Sequence, residues 1–294
     1  MPTDPRNRSQ RRIQIGCGLI LVGILYAQLS MESPKAVINT GAPVVFADTP
    51  VSEDSFEKLL RDDPFAGLVE SRDRLIRDAR DYTCTFVKQE RIDGAITEEQ
   101  EANIKFRAEP FSVVMDFTRN AGLANRVVYV KGKWRDESAD EGLRELAVCQ
   151  PGKGLSMFVK SIKQPIHGLL ARKTSRRAID EFGFRRALDL LIEYSQKAKD
   201  AGELELTFVG KTRFDGRDVW LVRRTLPYTG PGGAYPDRVA NIYVDCERLV
   251  PVAVYTYSDS AESPDQLLGK YEYRNVRFNV GLTDADFDPA TYGM

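Results

Sequence analysis

Strand-like segments follow one another along most of this chain and are separated by short turns rather than by helices. Residues 82–92 are rich in β-branched and aromatic residues and end at Asp93-Gly94, and residues 204–214 end in the same way at Asp215-Gly216. An Asp-Gly pair accepts the positive backbone angles of a tight turn, so each segment is predicted to fold back as a hairpin. Parallel strands need long crossovers, so the pattern argues against a doubly wound parallel sheet and favours an antiparallel one.

Two helical segments accompany the strands. Residues 54–80 and 184–198 carry apolar residues at spacings of three and four, which predicts helices with one buried face. Pro64 predicts an interruption of the first segment, with Asp62 or Asp63 as the cap of the helix that follows. We therefore expect an α+β fold. It consists of a large curved antiparallel sheet with an N-terminal helix and an inserted helix against one face.

The N-terminus has the layout of an export signal. Residues 1–12 contain four arginines and a single acid, and residues 13–29 are almost entirely apolar. This basic-then-apolar order is typical of a secretory signal, while the 17-residue length is also just enough for a membrane span. Both a cleaved signal, for instance after Val45-Phe46-Ala47, and a retained inner-membrane anchor are consistent with it. The basic residues predict a cytoplasmic N-terminus and an exported remainder.

We accordingly divide the chain into three parts. Residues 1–47 are predicted to be the signal or anchor, residues 48–53 a linker, and residues 54–294 a single α+β domain. The expected location is the periplasm or cell envelope, with membrane contact through residues 13–29 if the signal is not cleaved.

Composition argues against several classes of function. The formal net charge is −1, so there is no basic excess to attract nucleic acid. His167 is the only histidine, and the chain contains neither a Gly-x-Ser-x-Gly nor a Cys-x-x-Cys motif. Acids alternate at 284, 286 and 288 as at the start of a calcium loop, but Pro289 and Ala290 follow the third acid and the required glycine is missing, which favours a capped turn. We expect no catalytic residue, no cofactor and no metal.

Three cysteines follow the N-terminal segment, namely Cys84, Cys149 and Cys246. An odd number in an oxidising compartment allows one disulfide between two of them and one free thiol. Three buried, apolar thiols are an equally good interpretation. The sequence does not choose between these alternatives.

Aromatic and other large apolar residues are spread over consecutive predicted strands. They can form a solid core, or they can line an apolar cavity that a strongly curved sheet leaves unfilled. Residues 155–170 are predicted to form an irregular apolar flap, which together with the helix at 184–198 would be the lid of such a cavity. The candidate ligand-contacting residues are Phe106, Phe111, Met115, Phe117, Trp134, Phe158, Leu188 and Leu191.

Three segments resemble a bacterial family of unknown function, domain of unknown function 1571. They are residues 82–91 (YTCTFVKQER), 104–113 (IKFRAEPFSV) and 271–287 (YEYRNVRFNVGLTDADF). The resemblance extends over about residues 55–290 and implies no particular activity.

The order of elements is also similar, more distantly, to the LolA and LolB lipoprotein carriers and the periplasmic sensor RseB. The similarity lies in Arg107-Ala-Glu-Pro110, in Leu249-Val-Pro251 and in Asp286-Phe287. It implies an unclosed β-barrel whose helices form a lid over an apolar cavity. It further implies that the partner is a lipid or a lipoprotein acyl chain.

Three hypotheses of different classes follow. The first is an exported, non-enzymatic carrier or sensor for acyl chains. The second is a membrane-anchored module of the cell envelope that binds envelope proteins and no small molecule. The third is an envelope hydrolase, which would need two carboxylates converging in a cleft.

Overall fold

The computed structural model describes residues 53–152 and 159–294, and the predicted export segment lies outside them. Two helices open the described chain, α1 (Glu53–Asp62) and α2 (Pro64–Asp78). Asp63 separates them and caps α2, because its carboxylate accepts a hydrogen bond from the Ala66 amide at 3.0 Å. The predicted break at Pro64 is confirmed, since proline is tolerated in the first turn of a helix.

The strands and remaining helices follow in an order close to the predicted one. The first group is β1 (Asp81–Ile92), β2 (Ala95–Ile96), β3 (Gln100–Arg107), β4 (Ser112–Arg119), β5 (Ala124–Val130), β6 (Leu146–Pro151) and β7 (Ile162–Pro165). Two helices come next, α3 (Leu169–Thr174) and α4 (Phe184–Asp200). The second group is β8 (Glu205–Phe214), β9 (Arg217–Thr225), β10 (Val239–Asp245), β11 (Pro251–Tyr257) and β12 (Leu267–Phe278).

These strands form one antiparallel sheet in the order β7-β6-β5-β4-β3-β1-β12-β11-β10-β9-β8, with β2 paired to β1. Strands β3 to β7 and strands β8 to β12 each pair in sequence order, and at the centre of the sheet the first long strand pairs with the last. Within the described residues, β7 and β8 are edge strands that do not pair with each other, so the sheet stays an unclosed barrel. The predicted α+β fold class is therefore confirmed.

Three local details differ from the sequence-based expectation. The returning strand of the first hairpin is split into β2 and β3. The three residues 97–99 lie opposite only two residues of β1, Gln89 and Glu90, so one residue is extra and forms a bulge. Residues 133–136, which their sequence predicts to be a further strand of the meander, instead form a turn with one isolated bridge, from Arg135 to Glu145. The predicted irregular flap at 155–170 contains the edge strand β7 and the start of α3, while residues 153–158 lie outside the described chain.

The main core lies on the concave face of the sheet, beneath the helices. In α4 the buried positions are Phe184, Leu188, Leu191, Ser195 and Ala198, which follow the alternate spacing of four and three that puts them on one helix face. This face packs together with α1, α2 and the inward residues of β1, β3, β9, β10 and β12. The helices therefore cover the sheet as predicted.

A smaller core lies on the opposite, convex face of the sheet. Val114 and Val128 point there because side chains alternate along a strand, and they pack against Phe287 of the C-terminal tail. The tail is also held by ion pairs from Lys105 to Asp286 and from Arg107 to Asp284. Among residues 53–152 and 159–294, none of the helices combines the length and apolar character that a membrane crossing requires.

Leu188→Ala tests whether α4 is a structural part of the core. Leu188 is fully buried, so we expect the substitution to lower the free energy of unfolding by about 2–5 kcal/mol. Val209 on β8 is 55% exposed, so Val209→Ala should lower the free energy of unfolding by less than about 1 kcal/mol. Urea denaturation measures both, and equal losses would contradict the placement of Leu188.

Candidate functional site

A cavity of about 360 Å³ lies on the concave face, over β4–β7 and the central strands β1 and β12, with further wall residues from β9 and β11. Strand alternation directs Met115 and Phe117 of β4, Val127 of β5 and Cys149 of β6 into it. Residues of α3, the segment 175–183 and α4 form its cover. Volumes of this size are typical of small-molecule sites.

The cavity opens to solvent between the β4–β5 turn and α3. Leu123 in the turn and Leu170 in α3 both line the cavity, and they are 59% and 51% exposed. Two large apolar side chains at this exposure have not found a complete packing partner within the described chain. The mouth of the cavity is therefore apolar as well as its interior.

Some of the residues predicted from the sequence come together in the cavity wall. Met115, Phe117 and Leu191 line it. Phe106 and Leu188 instead belong to the solid core, and Phe111 packs between the rings of Phe106 and Tyr129 at centroid distances of 5.3 and 5.9 Å.

Trp134 is placed away from the cavity. It follows the turn after β5 instead of continuing a strand, and it packs with the convex-face core around Phe287. Phe158 lies outside the described residues.

The sequence analysis missed several lining residues. Val127 and Cys149 face the cavity because they occupy matched positions on β5 and β6. Ile179 and Phe182 come from the segment before α4, which has no strand or α-helix periodicity to reveal them. Strand alternation could have identified the first pair, whereas the second pair required the tertiary structure.

A buried carboxylate, Glu90 at the end of β1, fastens the cover of the cavity to the sheet. Its side chain accepts hydrogen bonds from Lys88 Nζ at 3.0 Å, Tyr271 Oη at 2.9 Å and Ser175 Oγ at 3.1 Å. Lys88 also donates to the Thr174 carbonyl at 3.4 Å. The last residues of α3 and the segment after it are thus bonded directly to β1 and β12.

The surroundings of Glu90 favour its ionised form. Burial raises the pKa of this carboxyl, but the charge of Lys88 and the hydrogen bonds from Lys88, Tyr271 and Ser175 outweigh burial and leave the pKa below the ordinary value of 4.5. Glu90 is therefore a carboxylate at neutral pH. It has the opposite properties from a general acid, whose pKa must be raised.

A second buried ion pair lies in the wall near α4. Arg224 is 1% exposed and donates from Nη2 to both carboxylate oxygens of Asp237, at 2.9 and 3.1 Å. Its Nη1 donates to the Leu191 carbonyl at 3.2 Å. Both Arg224 and Asp237 line the cavity. Arg224 thereby connects β9 to α4, and the carboxylate of Asp237 neutralises its positive charge.

The three cysteines are free thiols in the structure, so the predicted alternative of a disulfide between two of them is not formed. Cys84, Cys149 and Cys246 belong to β1, to β6 and to the turn after β10, which are separated by intervening strands of the sheet. Burial raises the pKa of Cys149 to about 11 and that of Cys246 to about 12. Cys149 alone of the three lines the cavity.

Polar residues singled out by the sequence have structural partners. His167 Nε2 lies 3.1 Å from Asp180 Oδ2. Asp284 and Asp286 pair with Arg107 and Lys105, and Asp288 caps the turn that follows it. Within residues 53–152 and 159–294 there is no group of three His, Cys, Asp or Glu side chains arranged to hold a metal ion.

Residues 79–292 match the family described as "Protein of unknown function (DUF1571)", and the chain belongs to this family. No curated protein matches the sequence significantly.

Several solved structures are similar in fold. The Pseudomonas aeruginosa MucA/MucB complex is 12% identical, with 76% of this chain and 60% of that chain covered and a TM-score of 0.41. The Mycobacterium tuberculosis lipoprotein LppX is 14% identical, with 77% and 100% covered and a TM-score of 0.42. The LolA superfamily protein NE2245 from Nitrosomonas europaea is 10% identical, with 76% and 96% covered and a TM-score of 0.26. At these identities and scores the likeness assigns no ligand, partner or location to this chain.

Glu90→Gln tests the attachment of the cover. The substitution keeps the shape but leaves Lys88 without its carboxylate, so we expect a loss of about 3 kcal/mol in stability and faster amide exchange at residues 174–177. Glu99→Gln is the control, because Glu99 forms a more exposed ion pair with Lys270, worth less than about 1 kcal/mol. Hydrogen exchange measured by mass spectrometry would contradict this role if protection at 174–177 stayed unchanged.

The same carboxylate predicts a pH dependence. Because the pKa of Glu90 is lower in the folded than in the unfolded chain, its contribution to stability is complete above 4.5 and is lost as the pH falls through the folded-state pKa. Urea unfolding across this range should therefore show stability falling with acid more steeply for the wild-type chain than for Glu90→Gln. Parallel curves would contradict the assignment.

Proposed function

We propose that this protein is an exported, non-enzymatic carrier or sensor that holds a lipid or lipoprotein acyl chain in the cavity between β4–β7 and the helices. The observation that carries the proposal is an apolar cavity of about 360 Å³ with an apolar mouth at Leu123 and Leu170. A flexible hydrocarbon chain matches this site because the interior is formed mainly by aliphatic, aromatic and thiol side chains.

The expected affinity can be estimated from chain burial alone. Each methylene removed from water contributes about 0.8 kcal/mol, so ten of them contribute about 8 kcal/mol. That value corresponds to a dissociation constant of about 1 μM, before the entropy lost on association is subtracted. An acyl chain can therefore be held without any charged group of the protein contacting the ligand.

The carboxylates around the cavity support a binding role over hydrolysis. Three of them line it within the described residues, and each is bonded to a basic side chain: Glu90 to Lys88, Asp237 to Arg224 and Glu181 to Arg186. Paired-carboxylate hydrolysis instead requires one carboxyl whose pKa is raised and one free to act as base or nucleophile. These ion pairs favour structural roles for the three acids.

The proposed location rests on the sequence of the N-terminal segment. Arginines precede the apolar residues 13–29, as in export signals and in anchors with a cytoplasmic N-terminus. We propose that the domain functions in the periplasm or cell envelope, where acyl chains of lipids and lipoproteins are abundant.

Native mass spectrometry of the exported full chain, followed by organic extraction, tests the proposal. We expect a co-purifying lipid close to one per chain. Val127→Trp should displace it by filling the cavity, whereas Val209→Trp, on an exposed site of β8, should leave it in place. Circular dichroism confirms that both variants fold. A wild-type mass without ligand, unchanged after incubation with lipids, would contradict the proposal and favour the protein-binding module.

Cysteine labelling provides an independent prediction. Adding palmitate to protein from which the co-purifying lipid has been removed should slow maleimide modification of Cys149 several-fold, because this thiol lines the cavity and would be covered by the ligand. Cys246 lies outside the cavity lining and should react at the same slow rate with or without palmitate. Peptide mapping of the unmutated chain resolves the two rates. Equal slowing of both thiols would point to a general effect on the protein instead of occupancy.

A further inference from the structure

The stretch of sequence that contains α3 has an unusual charge. No acidic residue occurs between Glu145 and Asp180, although the chain as a whole has a net charge of −1. The same segment contains seven basic residues: Lys153, Lys160, Lys163, Arg172, Lys173, Arg176 and Arg177. Positive charge is therefore concentrated in one stretch, and the rest of the chain, with 35 basic and 43 acidic residues, has a net charge of −8.

The described basic residues divide into two groups. Arg176 donates to the Leu268 carbonyl at 3.0 Å, and Arg177 lies 3.7 Å from Glu181. The other group is exposed and forms no ion pair with a carboxylate of the described chain: Lys160, Lys163, Arg172 and Lys173. Arg172 donates from Nε to the His167 carbonyl at 2.9 Å, which leaves its charge without a carboxylate partner in the described chain. These four charges are not matched by a carboxylate of the described chain and are available to a partner.

The helix α3 has two different faces. At 3.6 residues per turn, Leu170, Ala171 and Thr174 share one side, and all three line the cavity. Leu169, Arg172 and Lys173 share the other side, where Leu169 is 76% exposed, the highest value among the large apolar residues described as exposed. An exposed leucine flanked by basic residues without a carboxylate partner thus sits on the back of the cavity wall.

We propose that this face of α3, formed by Leu169, Arg172 and Lys173, docks the protein on an anionic lipid bilayer. Arginine and lysine interact with the acidic headgroups, while Leu169 inserts at the boundary between headgroups and acyl chains. The basic side chains complement the negative charge of the bilayer surface. The exposed leucine between them distinguishes this face from a surface that binds a purely polar polyanion. The cavity mouth at Leu170 would then lie beside the source of the proposed ligand.

This inference is independent of whether an acyl chain occupies the cavity. The docking face is defined by exposure and charge on the outer side of α3, whereas the proposed function depends on the inner side. Lipid extraction from the same preparations reports on the cavity, so the two proposals can fail separately.

A tryptophan introduced by Leu169→Trp reports directly on docking. The experiment uses the exported full chain carrying this substitution, and the emission of the wild-type chain, with its two native tryptophans, is subtracted. We expect the remaining emission, from residue 169, to shift to the blue when vesicles of equal parts phosphatidylcholine and phosphatidylglycerol are added. Brominated acyl chains should quench it. Vesicles of phosphatidylcholine alone should have little effect, and Val209→Trp on β8 is the matched control at a distant exposed site. Comparison with the Val209→Trp reporter separates contact through α3 from attachment through residues 13–29, because attachment alone would not favour the position of Leu169.

The charges are tested in the same background. Arg172→Glu combined with Lys173→Glu should weaken partitioning onto the anionic vesicles about tenfold or more. Lys131→Glu combined with Lys133→Glu, in the exposed turn after β5, changes the net charge equally and should leave the signal of the Leu169→Trp reporter intact.

Two results would overturn the proposal. One is emission of the Leu169→Trp variant that stays unchanged on anionic vesicles. The other is an equal loss of partitioning in the two charge-reversed variants, since the attraction would then come from net charge and not from α3.

Discussion

The antiparallel pairing of β1 with β12 is the constraint on which the rest of the molecule depends. These two strands are far apart in sequence, yet their register runs from Tyr82 opposite Phe278 to Glu90 opposite Gly269. The pairing joins the strands β3–β7 on one side to β8–β11 on the other in a single sheet. It also brings Glu90 to Tyr271, which completes the attachment of the cavity cover. Closing so long a loop is entropically unfavourable, and the extended ladder of backbone hydrogen bonds and the core beneath it offset that loss.

The cavity follows from an uneven distribution of helices over a curved sheet. Three helices, α1, α2 and α4, pack with Trp220 and its neighbours on the inward residues near the centre of the sheet and β9–β10. Over β4–β7 the cover consists of the six-residue helix α3, the segment 175–183 and one side of α4. Interiors normally pack as densely as organic crystals, so this unfilled volume among large apolar side chains is the feature on which the proposed binding function rests.

Buried ion pairs determine where that cover attaches. Glu90 with Lys88, and Arg224 with Asp237, each connect a strand of the sheet to an element of the lid by directional hydrogen bonds. Removing charges from water is unfavourable, so such pairs contribute less to net stability than to the selection of one arrangement. These two pairs define one position for the lid and therefore one shape for the cavity.

Local patterns in the sequence were sufficient for most of the elements, the Asp-Gly hairpins, the break at Pro64 and the α+β class, because turn chemistry and side-chain periodicity act over a few residues. They also identified Met115, Phe117 and Leu191, which the structure places in the cavity wall. Only the tertiary structure decided that Trp134 belongs to the convex face, that Phe182 joins the cavity and that the three described cysteines are unpaired. The physical reason is that the same apolar side chain suits a solid core, a cavity wall or either face of a sheet. Which of these it enters depends on long-range strand pairing that the residues beside it in the sequence do not determine.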